Sequence, residues 1–165
     1  MSNQKVFLFD FDGVIVDGMK EYWHSSLLAC EQYLNSPNIK VDQKLYKKVP
    51  NTFKEIRPWV KYGWEMILIV HEIVKQENSL NNFNKYDYIN KYHENCQKIL
   101  KDNCWLADDL QKMLDNSREY QIKNDFEKWV NLHNPFFEVI HFMEELKKRE
   151  IKTGFITKNK FWKNI

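Results

Sequence analysis

Glycine and proline are scarce in this sequence, four of each in 165 residues. The chain has no low-complexity stretch and no internal repeat, and few positions force the backbone to turn. Cysteine is scarcer still. Cys30, Cys96 and Cys104 are odd in number and form no CxxC pair, which argues against a disulfide framework and suits reduced thiols used as small packing residues. An excess of one charge is also missing: 25 Lys and Arg face 23 Asp and Glu, a net charge of +2. That balance removes the electrostatic reason to expect nucleic acid or an anionic membrane as the main partner. Long apolar runs are absent too. The longest internal one, Met66 to Val70, falls far short of the ~20 residues that a membrane span requires. The N-terminal run carries Asp10 and Asp12 where a signal peptide needs an uncharged core. These absences predict a cytoplasmic chain with no membrane span, built as one medium domain or as a small core carrying an insertion.

What is present begins at the N-terminus with KVFLFDFDGVIVDG, residues 5 to 18. Val6 to Phe9 suit a buried strand. Asp10 and Asp12 do not, because an ionised carboxylate left unpaired among apolar side chains is very costly. Either the strand has surfaced at Asp10 or a positive group meets it there. Gly13 and Gly18 bracket Val14-Ile15-Val16 and predict a tight turn directly after the aspartates.

The middle of the chain reads as helix. Tyr22, Trp23, Leu27, Leu28 and Leu34 recur at helical spacing, as do Ile56, Trp59, Val60, Ile67, Val70 and Val74, and both sets predict amphipathic helices. Further helical sets run through Tyr88 and Ile99, Leu106 to Leu114, and Phe126 to Leu132; none alternates like a strand. The Asn- and Ser-rich segment from Asn78 to Asn84 reads as a loop. Pro135 is expected to begin a helix with Val139, Phe142, Met143 and Leu146 on its apolar face, and Lys147, Lys148 and Arg149 at its end suit the negative pole of the helix dipole. Ile151 to Ile156 then reads as a strand ending at Thr157. Two strands joined by a helical excursion and a crossover helix predict parallel pairing, with Asp10, Asp12 and Thr157 converging at the carboxyl edge where open α/β folds bind ligands.

With DFDGVIVDG at the first strand and TGFITK at the second, the sequence resembles the haloacid dehalogenase (HAD)-like hydrolase superfamily, in particular its phosphoglycolate phosphatase-like members with a helical cap. The first stretch matches the family's DxDGV motif; the second is similar to its motif of a strand ending in Thr or Ser. The resemblance implies an α/β fold: a partial Rossmann-like core of residues 1–18 and 134–165, with a large α-helical cap, 19–133, inserted after the first strand. It implies an Mg2+-dependent phosphatase of a small phosphorylated metabolite. Asp10 would be the nucleophile, Asp12 the general acid and base, and Thr157 a phosphate ligand with Lys158 beside it. Magnesium would be held by the Asp10 side chain and the Asp12 backbone carbonyl. The family's third-motif lysine and fourth-motif acidic pair would fall beyond Ile165, which implies a C-terminally truncated relative. The alternative is therefore a non-catalytic relative that binds a ligand or a complementary fragment. The first strand's free edge, an aggregation hazard unless covered, is expected to call for a homo-oligomer, a complementary fragment or a rearranged core.

Other candidates have plainer readings. Asp108-Asp109 imitates an acidic pair but lies between helical apolar positions and suits a solvated helix face. Lys158 and Lys160 suit phosphate or simply surface. His93, Cys96 and Cys104 lack a suitably spaced fourth ligand and are set aside as a soft-metal site. Trp59, Trp64, Trp105 and Trp129 suit packing of a helical bundle better than a substrate pocket.

Overall fold

A computed structural model describes residues 6–33, 41–77 and 84–157; Lys158, Lys160 and most of the loop from Asn78 to Asn84 lie outside them. The chain divides into two compact units, residues 1–18 with 131–165, and residues 19–130. The fold is mixed α/β, mostly helical, with a small parallel sheet.

The first unit is built on β1 (Val6–Asp10) and β4 (Lys152–Ile156), paired in parallel with Val6 opposite Lys152 and Asp10 opposite Ile156. Between them in sequence come β2 (Val16–Asp17), β3 (Asn134–Pro135) and α8 (Phe137–Lys148). Helix α8 has Glu138 in its first turn and Lys147 and Lys148 in its last, charges that oppose the helix dipole at each end. Its Phe142 ring meets Phe7 and Phe9 edge-on, each at 6.2 Å between centroids. The helix stops through Glu150, held at φ 56°, where the Ile151 N–H donates back to the Leu146 carbonyl at 3.0 Å and the chain turns into β4. Pro135 does not begin the helix as expected. It pairs in extended form with Val16 in a short antiparallel ladder, β2 with β3, and the helix begins at Phe137. A proline at a helix start and one in a short edge ladder leave the same trace in sequence, since neither needs its missing N–H.

The second unit contains α1 (Met19–Tyr33), α2 (Asn51–Ile56), α3 (Glu65–Glu77), α4 (Lys85–Asn90), α5 (Tyr92–Asp102), α6 (Ala107–Asn124) and α7 (Phe126–Val130). No strand occurs in it among the described residues. Helix α3 is its centre and packs against α1, α2, α5 and α6. Met66 to Val70 are each 2% exposed or less, so this turn is apolar on every side because neighbours surround it. Each such Ile, Leu or Val contributes about 1.5–3 kcal/mol by leaving water. The single helix suggested by Ile56 through Val74 is instead broken. Pro58 ends α2 in a 3-10 turn, Arg57–Trp59, and a loop through Gly63 precedes α3. A Cβ at Gly63 would lie 3.0 Å from Gln111 Oε1 and 3.1 Å from Leu114 Cδ2, so both side chains would have to give by a few tenths of an ångström.

A buried polar network joins α1 to α6. Arg118 donates to both carboxylate oxygens of Glu21 at 2.7 and 3.0 Å, and Ser25 Oγ donates to Glu21 at 2.6 Å. Ser117 Oγ donates to the Ser25 carbonyl, and Gln121 Nε2 donates to Ser25 Oγ. Gln121 Oε1 is thereby left as the acceptor facing His24 Nδ1 at 2.8 Å, which puts the His24 proton on Nδ1.

Candidate functional site

Asp10 is the last residue of β1 and Ile156 the last of β4, and the two are partners in the ladder. The Phe11 N–H donates to the Ile156 carbonyl at 3.0 Å, which extends the pairing one step past Asp10. The carboxyl ends of the two strands therefore finish together. Asp10, Asp12 and Thr157 are brought to this one edge, with Asp10 exposed and Asp12 and Thr157 partly buried. Asp12 and Thr157 each have interaction partners.

The turn after Asp10 is held from within and from outside. The Phe11 carbonyl accepts from Ile15 N–H at 3.0 Å and Val16 N–H at 3.1 Å, and Gly13 N–H donates to the Val16 carbonyl at 2.8 Å. Gly13 sits at φ +80°, a conformation that an L side chain adopts only with strain. Ile15 and Val16 are buried, the Ile15 carbonyl accepts from Phe136 N–H at 2.9 Å, and β3 pairs with β2. The segment carrying both aspartates is thus fixed against the chain just before α8. This clamp is not visible in the sequence, because two-residue strands have no period to read.

The edge can offer hard oxygen donors, a hydroxyl and a short loop of backbone amides. The donor chemistry fits magnesium, which often takes only one or two carboxylates and completes its shell with phosphate and water. Among the described residues no group of three or more His, Cys, Asp or Glu is placed to hold a metal. Asp108 and Asp109 lie exposed in the first turn of α6, where they complement the helix dipole. Cys96 is buried, its thiol pushed up to about 11 by loss of solvent, whereas Cys104 is exposed. Of the tryptophans, Trp129 is buried and Trp64 and Trp105 pack on the helical core, but Trp59 is 52% exposed. No helix among the described residues is long and apolar enough to cross a membrane.

Glu21 and Arg118 were not singled out by sequence reasoning. The signal was there: Arg118 stands four residues after Leu114 on the apolar stripe of α6, where a charged residue must be paired or exposed.

No family model matches the chain, and no curated protein or solved structure matches it either.

Proposed function

We propose that the chain is a phosphatase of the haloacid dehalogenase-like type, acting on a small phosphorylated metabolite through an aspartyl phosphate. The supporting observation is the register that ends β1 and β4 together, so that Asp10, Asp12 and Thr157 share one carboxyl edge. Catalysis of phosphoryl transfer is mainly positioning and charge stabilisation, and an exposed carboxylate on a clamped turn meets the first need.

The Asp10 carboxylate and the Asp12 carbonyl would hold magnesium, whose charge would offset that of the phosphate oxygens. An Asp10 oxygen attacks phosphorus as the bond to the leaving oxygen breaks, and Asp12 gives that oxygen its proton. Asp12 then removes a proton from water as the water attacks phosphorus. The bond to Asp10 breaks, inorganic phosphate leaves and the carboxylate is restored. Thr157 donates its hydroxyl hydrogen to a phosphate oxygen and orients the group.

The test is hydrolysis of an aryl phosphate with magnesium by the purified chain and by Asp10→Asn. An amide is neither the nucleophile nor an anionic ligand, so activity should fall to background. Full retention in Asp10→Asn would overturn the reading. A second reading is a non-catalytic relative that uses the same carboxyl edge to bind a phosphate ligand or a complementary fragment. Phosphate binding by calorimetry without turnover would select it.

A further inference from the structure

β1 has a partner on one edge only, β4, among the described residues. The Phe11 N–H bond to Ile156 fixes which backbone groups that edge uses. In a parallel ladder alternate residues bond to the same neighbour, so Phe7 and Phe9 turn toward β4, while Val6, Leu8 and Asp10 direct N–H and C=O to the opposite edge. That edge carries no lysine, proline or bulge within VFLFD, the devices that normally keep edges from pairing. Val6 and Leu8 on this strand are each more than half exposed, although a parallel sheet ordinarily has both faces covered.

We infer that the outer edge of β1 pairs with β1 of a second copy of this chain, antiparallel about a two-fold axis through Leu8. The sequence is symmetric about Leu8 at the nearest positions, Phe7 and Phe9. Centring on Leu8 sets Leu8 opposite Leu8 of the other copy, Phe7 opposite its Phe9 and Val6 opposite its Asp10. The residues whose backbone groups point outward, 6, 8 and 10, are the ones that become the hydrogen-bonded pairs. Phe7 and Phe9 fall at the non-bonded pairs, where cross-strand side chains approach most closely and two aromatics add a favourable contact. The two Asp10 carboxylates end at opposite ends of the ribbon, roughly 13 Å apart along it at the usual strand rise. The product is a sheet of four strands, within the common range, in place of a two-stranded pair that is marginal alone.

The purified 165-residue chain should sediment as a dimer across micromolar concentrations. The register is tested by single cysteines placed in a Cys104→Ser background, which removes the exposed native thiol. Leu8→Cys should cross-link to a disulfide dimer on mild oxidation, because hydrogen-bonded pairs bring Cα atoms to about 5.5 Å, within disulfide reach. Val6→Cys should not, since its counterpart lies four residues away. Circular dichroism confirms that each variant keeps its helices. A monomer in the unmodified chain overturns the inference without recourse to any variant. So does a monomer with β1 amides protected from exchange, which would mean that the chain covers its own edge, and so does equal cross-linking through Val6→Cys. None of these readouts depends on phosphatase activity.

Discussion

Arg118 and Glu21 form a two-point ion pair across 97 residues of sequence, Nε to Oε1 at 2.7 Å and Nη2 to Oε2 at 3.0 Å, in a place that leaves Glu21 with no exposure at all. Breaking such a pair from one side strands a charge in the interior. Arg118→Met should therefore lower unfolding free energy by about 3–5 kcal/mol. Adding Glu21→Leu should recover much of that loss, because the costly species is the unpaired carboxylate and not the missing attraction. Urea midpoints followed by circular dichroism measure both steps. A double variant as unstable as the single one would show that the pair contributes strongly in its own right.

The parts of the fold that sequence made legible are those written in local signals. VFLF before two aspartates marks β1, and KKR before an extended run marks the end of α8 and the start of β4. Since both strands end where polar residues begin, even their common carboxyl edge can be anticipated. The clamp of β2 on β3 cannot, because two residues per strand carry no alternation and Pro135 suits a helix start equally well. The break between α2 and α3 was masked by apolar residues that keep helical spacing across Pro58 and Gly63. Identity of the candidate carboxylates was legible; the support under them was tertiary and was not.

The three cysteines differ sharply in access. Cys30 and Cys96 are buried and Cys104 is exposed, and loss of solvent raises the first two thiols, Cys30 more than Cys96. A thiol must ionise and be reached before it reacts. Ellman's reagent should therefore modify one thiol quickly in the native chain and all three after unfolding, and Cys104→Ser should remove the fast phase. A fast phase surviving in that variant would mean that the helical unit opens readily around Cys96 or Cys30.

His24 ties stability to pH. Burial lowers its pKa below the ordinary 6.5, only partly opposed by the hydrogen bond with Gln121, so the folded chain favours the neutral ring. Below pH 6.5 the unfolded chain takes up the proton first, and the stability held above that pH is progressively lost as pH falls. His24→Gln has no such proton to take up. Its urea midpoint should fall less than that of the parent chain between pH 7.5 and 5.5, a span of about two units around the reference histidine value. Equal falls would assign the acid sensitivity to other groups.

Asp12→Asn offers a sharper view of the proposed chemistry than loss of activity alone. Positioned acid–base help contributes about 10²- to 10⁴-fold, so turnover should fall by that range and by less than in Asp10→Asn. The loss should also depend on the leaving group. Nitrophenolate departs without a proton, whereas an alkoxide needs one, so formation of the aspartyl phosphate should survive with the aryl ester and fail with an alkyl phosphate. Its breakdown should be slow in either case, because a side-chain amide in place of the Asp12 carboxylate cannot accept the proton of the attacking water. Rapid mixing of Asp12→Asn with nitrophenyl phosphate should then show one burst of nitrophenol per chain followed by a slow phase. Identical losses with aryl and alkyl esters and no burst would remove Asp12 from the proton transfers and leave it a purely positional role beside Asp10.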